Sequence, residues 1–430
     1  MNVIFFLLVL VAFTVTAWKQ VLWDPASGLN APMQVLGHSM IETAGTAVTL
    51  ALGLVGVMGL FLGLMKIAEV GGLLRVFAKL LRPLMVRLFP EVPKDHPAMG
   101  AMIMNLSANA LGLGNAATPF GIRAMQELDT LNPNKGMATN SMILFLAINT
   151  SSVTLLPTGI IALRAAAGSD DPAGILPTTL FATLLSTTIA IMTAKFFSRM
   201  GQSKSNINTG SDINLNANHS INARSDDLSG KGYPVWVSIL ALVSLITLIP
   251  MTVIFGGLLS PWIIPALIMG FLTFGMFRGV RIYESFVDGA EEGFKVAIKI
   301  IPYLIAILVA VGMLRSSGAL ELFVGFLGPI TSIFGLPGDA LPMALLRPLS
   351  GSGAYGIVAS AINDPNIGPD SYTGYLVSTL QGSTETTFYV LAVYFGAIQI
   401  KRIRYALVVA LTADAAGVAG AIIACTYLFG

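Results

Sequence analysis

Stretches of about 20 residues with almost no charge recur along the whole chain. Residues 43–65, 175–195 and 405–428 carry at most one Asp, Glu, Lys or Arg each. A helix of that length crosses a hydrocarbon layer of about 30 Å, where every backbone polar group must be satisfied within the segment. Composition agrees: 11% of residues are charged and 55% hydrophobic, with a mean hydropathy of +0.79, against roughly 25% charged in soluble domains. The expected fold class is an all-α polytopic membrane protein.

A net charge of +2 spread over helix ends gives no basic tract for nucleic acid. Cys425 is the single cysteine, so no internal disulfide can form, and His38, His96 and His219 lack metal-ligand spacing. No metal site or cofactor is expected. The first 20 residues lack the basic n-region of a signal peptide and read as a retained helix at 3–18, with Trp18 and Trp23 at the interface.

Residues 201–232 are rich in Asn, Ser, Gly and Asp and read as a flexible linker between two membrane halves, 1–200 and 233–430. The halves match at three places in the same order. Gly72 to Pro83 parallels Gly318 to Pro329, and Asn105-Leu106-Ser107-Ala108-Asn109 parallels Arg347-Pro348-Leu349-Ser350-Gly351-Ser352-Gly353. Asn149-Thr150-Ser151-Ser152-Val153-Thr154 parallels Gly382-Ser383-Thr384-Glu385-Thr386-Thr387. Their flanking charges differ. Lys66, Arg75, Lys79, Arg82, Arg87 and Lys94 crowd one segment, whereas its counterpart at 316–340 has no Lys or Arg. Basic residues favour the cytoplasm, so the charge bias predicts two inverted-topology repeats. The expected crossings are 3–18, 43–65, 140–162 and 175–195, then 235–255, 258–277, 298–314, 374–397 and 405–428. Segments 97–122 and 341–361, broken by glycines and small polar residues, read as re-entrant hairpins. Stretches 31–45, 70–88 and 280–297 read as interfacial amphipathic helices.

Polar residues inside apolar helices need partners, because each unsatisfied group in hydrocarbon costs several kcal/mol. One reading has them hydrogen-bonding between helices. The other has both repeats converging on one midplane binding site. The candidate substrate-binding residues are Asn105, Asn109, Asn115, Asn149, Thr150, Ser151, Ser152 and Thr154 from the first half. Arg347, Ser350, Ser352, Gln381, Ser383, Thr384, Glu385, Thr386 and Thr387 come from the second. Arg347, Glu385 and Asp414 are the ionisable groups at membrane depth. Arg347 and Glu385 form either an internal ion pair or, respectively, a receptor for an anionic or carbonyl group of a substrate and a coupling site for Na⁺ or H⁺. Asp414 reads as satisfying a neighbour. No catalytic residues are expected, since no Ser and His pair, aspartyl motif, phosphate loop or dinucleotide fingerprint is present.

These motifs carry a resemblance. Lys94-Asp95-His96-Pro97-Ala98-Met99, Gly112-Leu113-Gly114-Asn115 and Asn149-Thr150-Ser151-Ser152 resemble bacterial spore maturation protein A. Arg347-Pro348-Leu349-Ser350-Gly351-Ser352-Gly353 and Gln381-Gly382-Ser383-Thr384-Glu385-Thr386-Thr387 resemble spore maturation protein B. The resemblance implies the gate, or nucleoside-recognition, domain shared with concentrative nucleoside carriers and the membrane part of ferrous-iron carriers. Together with the polar sets it implies a multi-pass protein of the bacterial inner membrane, a transporter or permease for a small polar solute such as a nucleoside. The alternative is a non-transporting module acting as partner or regulator in envelope or spore maturation. The lipid bilayer is the expected partner besides the solute, and a homo-oligomer is left open.

Overall fold

A computed structural model describes residues 2–25, 30–112, 114–201 and 233–430. The linker at 202–232 lies outside them, and so does the side chain of Asn115. The described residues are helical, without strands apart from one isolated bridge between Met137 and Arg402. The first half comprises α1 (Asn2–Val21), α2 (Pro32–Val70), α3 (Leu73–Leu88), α4 (Pro97–Ala110), α5 (Gly114–Thr130), α6 (Asn140–Thr150), α7 (Thr158–Ala166) and α8 (Ile175–Gly201). The second comprises α9 (Val235–Phe277), α10 (Ile282–Ser317), α11 (Ala319–Ser332), α12 (Leu341–Leu346), α13 (Gly351–Ile362), α14 (Tyr372–Ser383), α15 (Thr387–Ala397) and α16 (Ala406–Phe429). From α2 to α8 and from α10 to α16 the order of long, bent, paired and broken helices is the same. Among the described residues, Ile175–Met200 and Ala406–Phe429 are each long and apolar enough to cross a membrane, and two bent pairs qualify when taken together.

Both bent pairs turn at a glycine. Gly72, with φ +83°, separates α2 from α3 at a 67° bend, and Gly318, with φ +77°, separates α10 from α11 at 77°. A Cβ would be strained in that left-handed conformation. Helix α3 buries Leu74, Ala78 and Met85 along one side while Arg75, Lys79, Arg82 and Arg87 occupy other positions, the pattern of a helix lying along an interface.

Two expectations need correction here. Residues 31–45 and 280–297 are not separate interfacial helices. They are the first turns of α2 and α10, whose 39 and 36 residues correspond to about 58 and 54 Å of helix. No proline lies inside α2 beyond its first residue, and α10 runs on through Pro302. The segments 140–162 and 374–397 are not continuous helices. They break at residues 151–157 and 384–386, the first where Pro157 cannot donate to a helical carbonyl.

Helix α9 has 43 residues, about 64 Å if straight. Its flanking residues Tyr233 and Arg278 nevertheless line one cavity, so the chain doubles back within it.

Counterpart helices pack in antiparallel pairs. Gly63 sits against Phe286 and Gly312 against Thr43, which sets α2 against α10. Ala182 sits beside Gly420, and Ser186 Oγ donates to Ala413 O at 2.7 Å, which sets α8 against α16. Glycine lets the α2 and α10 backbones meet: a Cβ on Gly293 would lie 2.8 Å from Gly59 Cα.

Loops stitch the halves together at the two ends of the α6–α7 path. At one end Lys401 N and Arg402 N donate to Gly136 O, and Arg404 donates to Ala138 O at 3.1 Å and Asn140 Oδ1 at 3.0 Å. At the other, Arg164 is fully buried. It donates to Pro369 O at 2.6 Å, Ser169 Oγ at 3.1 Å, Asp171 O at 3.1 Å and Asp370 Oδ1 at 2.9 Å, with its guanidinium 4.1 Å from the Tyr375 ring centroid.

Candidate functional site

Each half presents a helical hairpin beside a broken helix. Helices α4 and α5 turn at Gly112, φ +75°, and the hairpin closes on itself: His96 Nε2 and Thr130 Oγ1 are 3.5 Å apart. Helices α12 and α13 turn at residues 347–350, where Ser350 Oγ accepts from Gly353 N at 3.0 Å and caps α13.

The breaks free backbone groups that the hairpin turns then satisfy. Leu155 N donates to Ala110 O at 2.9 Å, where α4 ends, and Phe388 N donates to Pro348 O at 3.1 Å, where α12 ends. The same bond thus occurs once in each half. Glu385 N then donates to Thr150 O at 2.8 Å and joins the two breaks directly. Backbone off the helical path needs such protein partners wherever it lies within hydrocarbon.

Two polar clusters flank that junction. In the first, Asn109 Nδ2 donates to Asn149 Oδ1 at 2.9 Å, and Tyr394 Oη donates to the same oxygen at 3.3 Å. Asn105 Nδ2 donates to Ala117 O at 2.7 Å and to Tyr394 Oη at 3.1 Å, while Asn105 Oδ1 is buried without a partner. In the second, Arg347, 6% exposed, donates to Thr386 Oγ1 at 3.2 Å and to the Thr384 carbonyl. Glu385 Oε2 is 3.8 Å from the Arg347 guanidinium, on a side chain 50% exposed. Thr387 Oγ1 donates to Asp414 Oδ2 at 2.7 Å, leaving Asp414 Oδ1 buried without a partner.

Most of the expected residues therefore gather around the junction, in different roles. Thr150 and Ser151 hydroxyls bond the Ala147 carbonyl of their own helix, and the Ser151 carbonyl accepts from Thr187 Oγ1 at 2.5 Å. Thr154 Oγ1 donates to the Ser152 carbonyl at 3.3 Å. Ser383 Oγ bonds Leu380 O at 2.9 Å within α14, Ser352 is half-buried, and Gln381 Oε1 is buried without a partner. Sequence reasoning missed Tyr394, which bridges two asparagines from 289 and 245 positions away. It also left Asp414 outside the set that Thr387 brings it into. A tyrosine in an apolar run signals a polar partner in principle, but its spacing names none.

Residues 51–167 and 297–401 match the Gate family, described as nucleoside recognition. The chain belongs to the Gate family. The two matched stretches cover corresponding parts of the halves, from the middle of α2 to the end of α7 and from the middle of α10 to just past α15. Spore maturation protein A of Bacillus subtilis (strain 168) is 47% identical over 168 residues, 39% of this chain and 86% of that protein. Spore maturation protein B of the same organism is 49% identical over 172 residues, 40% of this chain and 96% of that protein. The chain has the make-up of a fused A and B protein. The inner membrane protein YjiG of Escherichia coli (strain K12) is 31% identical over 81 residues, 19% of this chain and 53% of that protein. No solved structure matches significantly. The chain is a multi-pass membrane protein.

Proposed function

We propose that this Gate protein is a secondary transporter or permease of a bacterial inner membrane. It binds a small polar solute, a nucleoside or similar metabolite, between two inverted-topology repeats with re-entrant hairpins. One observation carries the reading: the two broken helices join through Glu385 N and Thr150 O, each with its break docked on a hairpin turn. Antiparallel packing of α2 on α10 and α8 on α16 supports the inversion. Unpartnered Asn105 Oδ1, Gln381 Oε1 and Asp414 Oδ1 supply acceptors beside the junction, and half-exposed Glu385 beside Arg347 is suited to couple Na⁺ or H⁺.

Mutual satisfaction of Asn109, Asn149 and Tyr394 favours a second reading, a non-transporting membrane module acting as a partner or regulator. Thermal unfolding of the purified chain against a panel of nucleosides, with and without Na⁺ and across pH, separates the two. Transport predicts stabilisation by a solute that Glu385→Gln abolishes while the unliganded midpoint stays put. Absence of any solute or ion effect on the wild-type chain refutes it.

A further inference from the structure

Away from the junction, a cavity of about 210 Å³ is lined by Gly71, Gly72, Arg75, Val76, Lys79, Tyr233 and Arg278. Among the described lining residues three are cations and none is a carboxylate. Positions 72, 75, 76 and 79 fall on one face of the first turns of α3, while Arg278 follows the end of α9 and Tyr233 precedes its start.

The backbone that carries these side chains is held in place by the protein itself. Pro83 has no N–H to give the Lys79 carbonyl one turn earlier, and Tyr233 N donates to that carbonyl instead, at 3.2 Å. Ser238 Oγ adds a bond to Leu80 O at 2.7 Å, fixing the start of α9 on α3. At the other wall, Arg278 lies 5.5 Å from the Phe274 ring centroid. That ring packs so closely on Gly71 that a Cβ there would meet it at 2.8 Å. Gly72, at φ +83°, leaves bare backbone at the rim. The counterpart helix α11 carries Glu321 and neither Lys nor Arg, so the cluster belongs to one side of the molecule only. That side has the basic bias of a cytoplasmic face, where anionic lipid headgroups attract cations by about 1 kcal/mol each.

We propose that this cavity binds a phosphate-bearing anion at that membrane surface, supplied by an anionic phospholipid headgroup or by soluble phosphate. Arg278 would offer a forked donor, Lys79 a point charge and Tyr233 a hydroxyl. The site is separate from the helix-break junction and does not depend on what binds there.

Native mass spectrometry of the full chain, released from micelles doped with phosphatidylglycerol or phosphatidylcholine, tests the idea. Selective retention of phosphatidylglycerol is expected. Lys79→Gln with Arg278→Gln should weaken it about thirtyfold, equivalent to about 2 kcal/mol. Arg87→Gln with Lys94→Gln removes the same charge from exposed positions outside the cavity and should change retention less than about threefold. Lys79→Arg with Arg278→Lys keeps the charge and should preserve binding, which separates lost recognition from lost folding. Inorganic phosphate that displaces the lipid at millimolar concentration identifies a soluble source. Resistance to it identifies the headgroup. Equal retention of both lipids, an equal loss in the control pair, or no binding of either phosphatidylglycerol or inorganic phosphate overturns the proposal.

Discussion

Replacing Arg164 with Ala should destabilise the protein more than any surface charge change, because its five contacts tie two loops of different halves. The side chain has no exposed surface and reaches Pro369 O, Ser169 Oγ, Asp171 O, Asp370 Oδ1 and the Tyr375 ring. Removing one member of a buried pair costs about 3–5 kcal/mol, chiefly by stranding the other. Here the stranding is partial. Asp370 is 32% exposed on its side chain and keeps bonds from Ser169 Oγ at 2.5 Å and Asp170 N at 2.8 Å. The expected loss is therefore at the low end, about 3 kcal/mol. Arg164→Lys keeps the charge but not the fork and should lose about 2 kcal/mol. Reversible unfolding in mixed micelles, read by tryptophan fluorescence against denaturing detergent, gives the difference. A double-mutant cycle with Asp370→Ala should return a coupling of at least about 1 kcal/mol. If Arg164→Ala unfolds within about 0.5 kcal/mol of the wild type, the loop contact does not hold the halves together and the reasoning fails.

Tyr394→Phe removes the hydroxyl between Asn105 and Asn149 and should cost about 1–2 kcal/mol in the same assay; an unchanged midpoint would mean the asparagines re-pair without it. Gly293→Ala places a methyl against the backbone of Gly59 and Met58, so about 1–3 kcal/mol should be lost, and intact stability would show that α2 and α10 can separate freely. Asp414→Asn keeps an oxygen for Thr387 and removes a buried charge with one unpartnered oxygen. It should unfold no more easily than the wild type, whereas a loss above about 1 kcal/mol would show that this carboxylate is compensated by Arg347.

The membrane class was legible from the spacing of uncharged stretches, because hydrocarbon admits so few alternatives. The matched motifs located the hairpin turns and helix breaks, since proline and glycine act locally: Pro157 and Gly112 disrupt the helix wherever the rest of the chain goes. What stayed hidden depended on partners distant in sequence. Tyr394 reads as one more aromatic in an apolar run until folding sets it beside Asn149. Arg164 reads as a loop-end charge until Asp370 meets it. Helix continuity was also misjudged at residue 45, because an amphipathic turn and an apolar span share one 3.6-residue period and nothing in the pattern forces a break between them.

The bonds between residues 136–140 and 401–404, and those between 164–171 and 369–370, have a consequence for how the protein could be made. Cohesion between the halves resides in these folded loops together with the α2–α10 and α8–α16 pairs, so contacts rather than the peptide link hold one half to the other. Joining two pieces in one chain raises the local concentration of one around the other. Two separately translated fragments, 1–201 and 233–430, would then face an ordinary bimolecular assembly problem in the plane of the membrane, governed by dosage and dilution in lipid rather than by any missing contact.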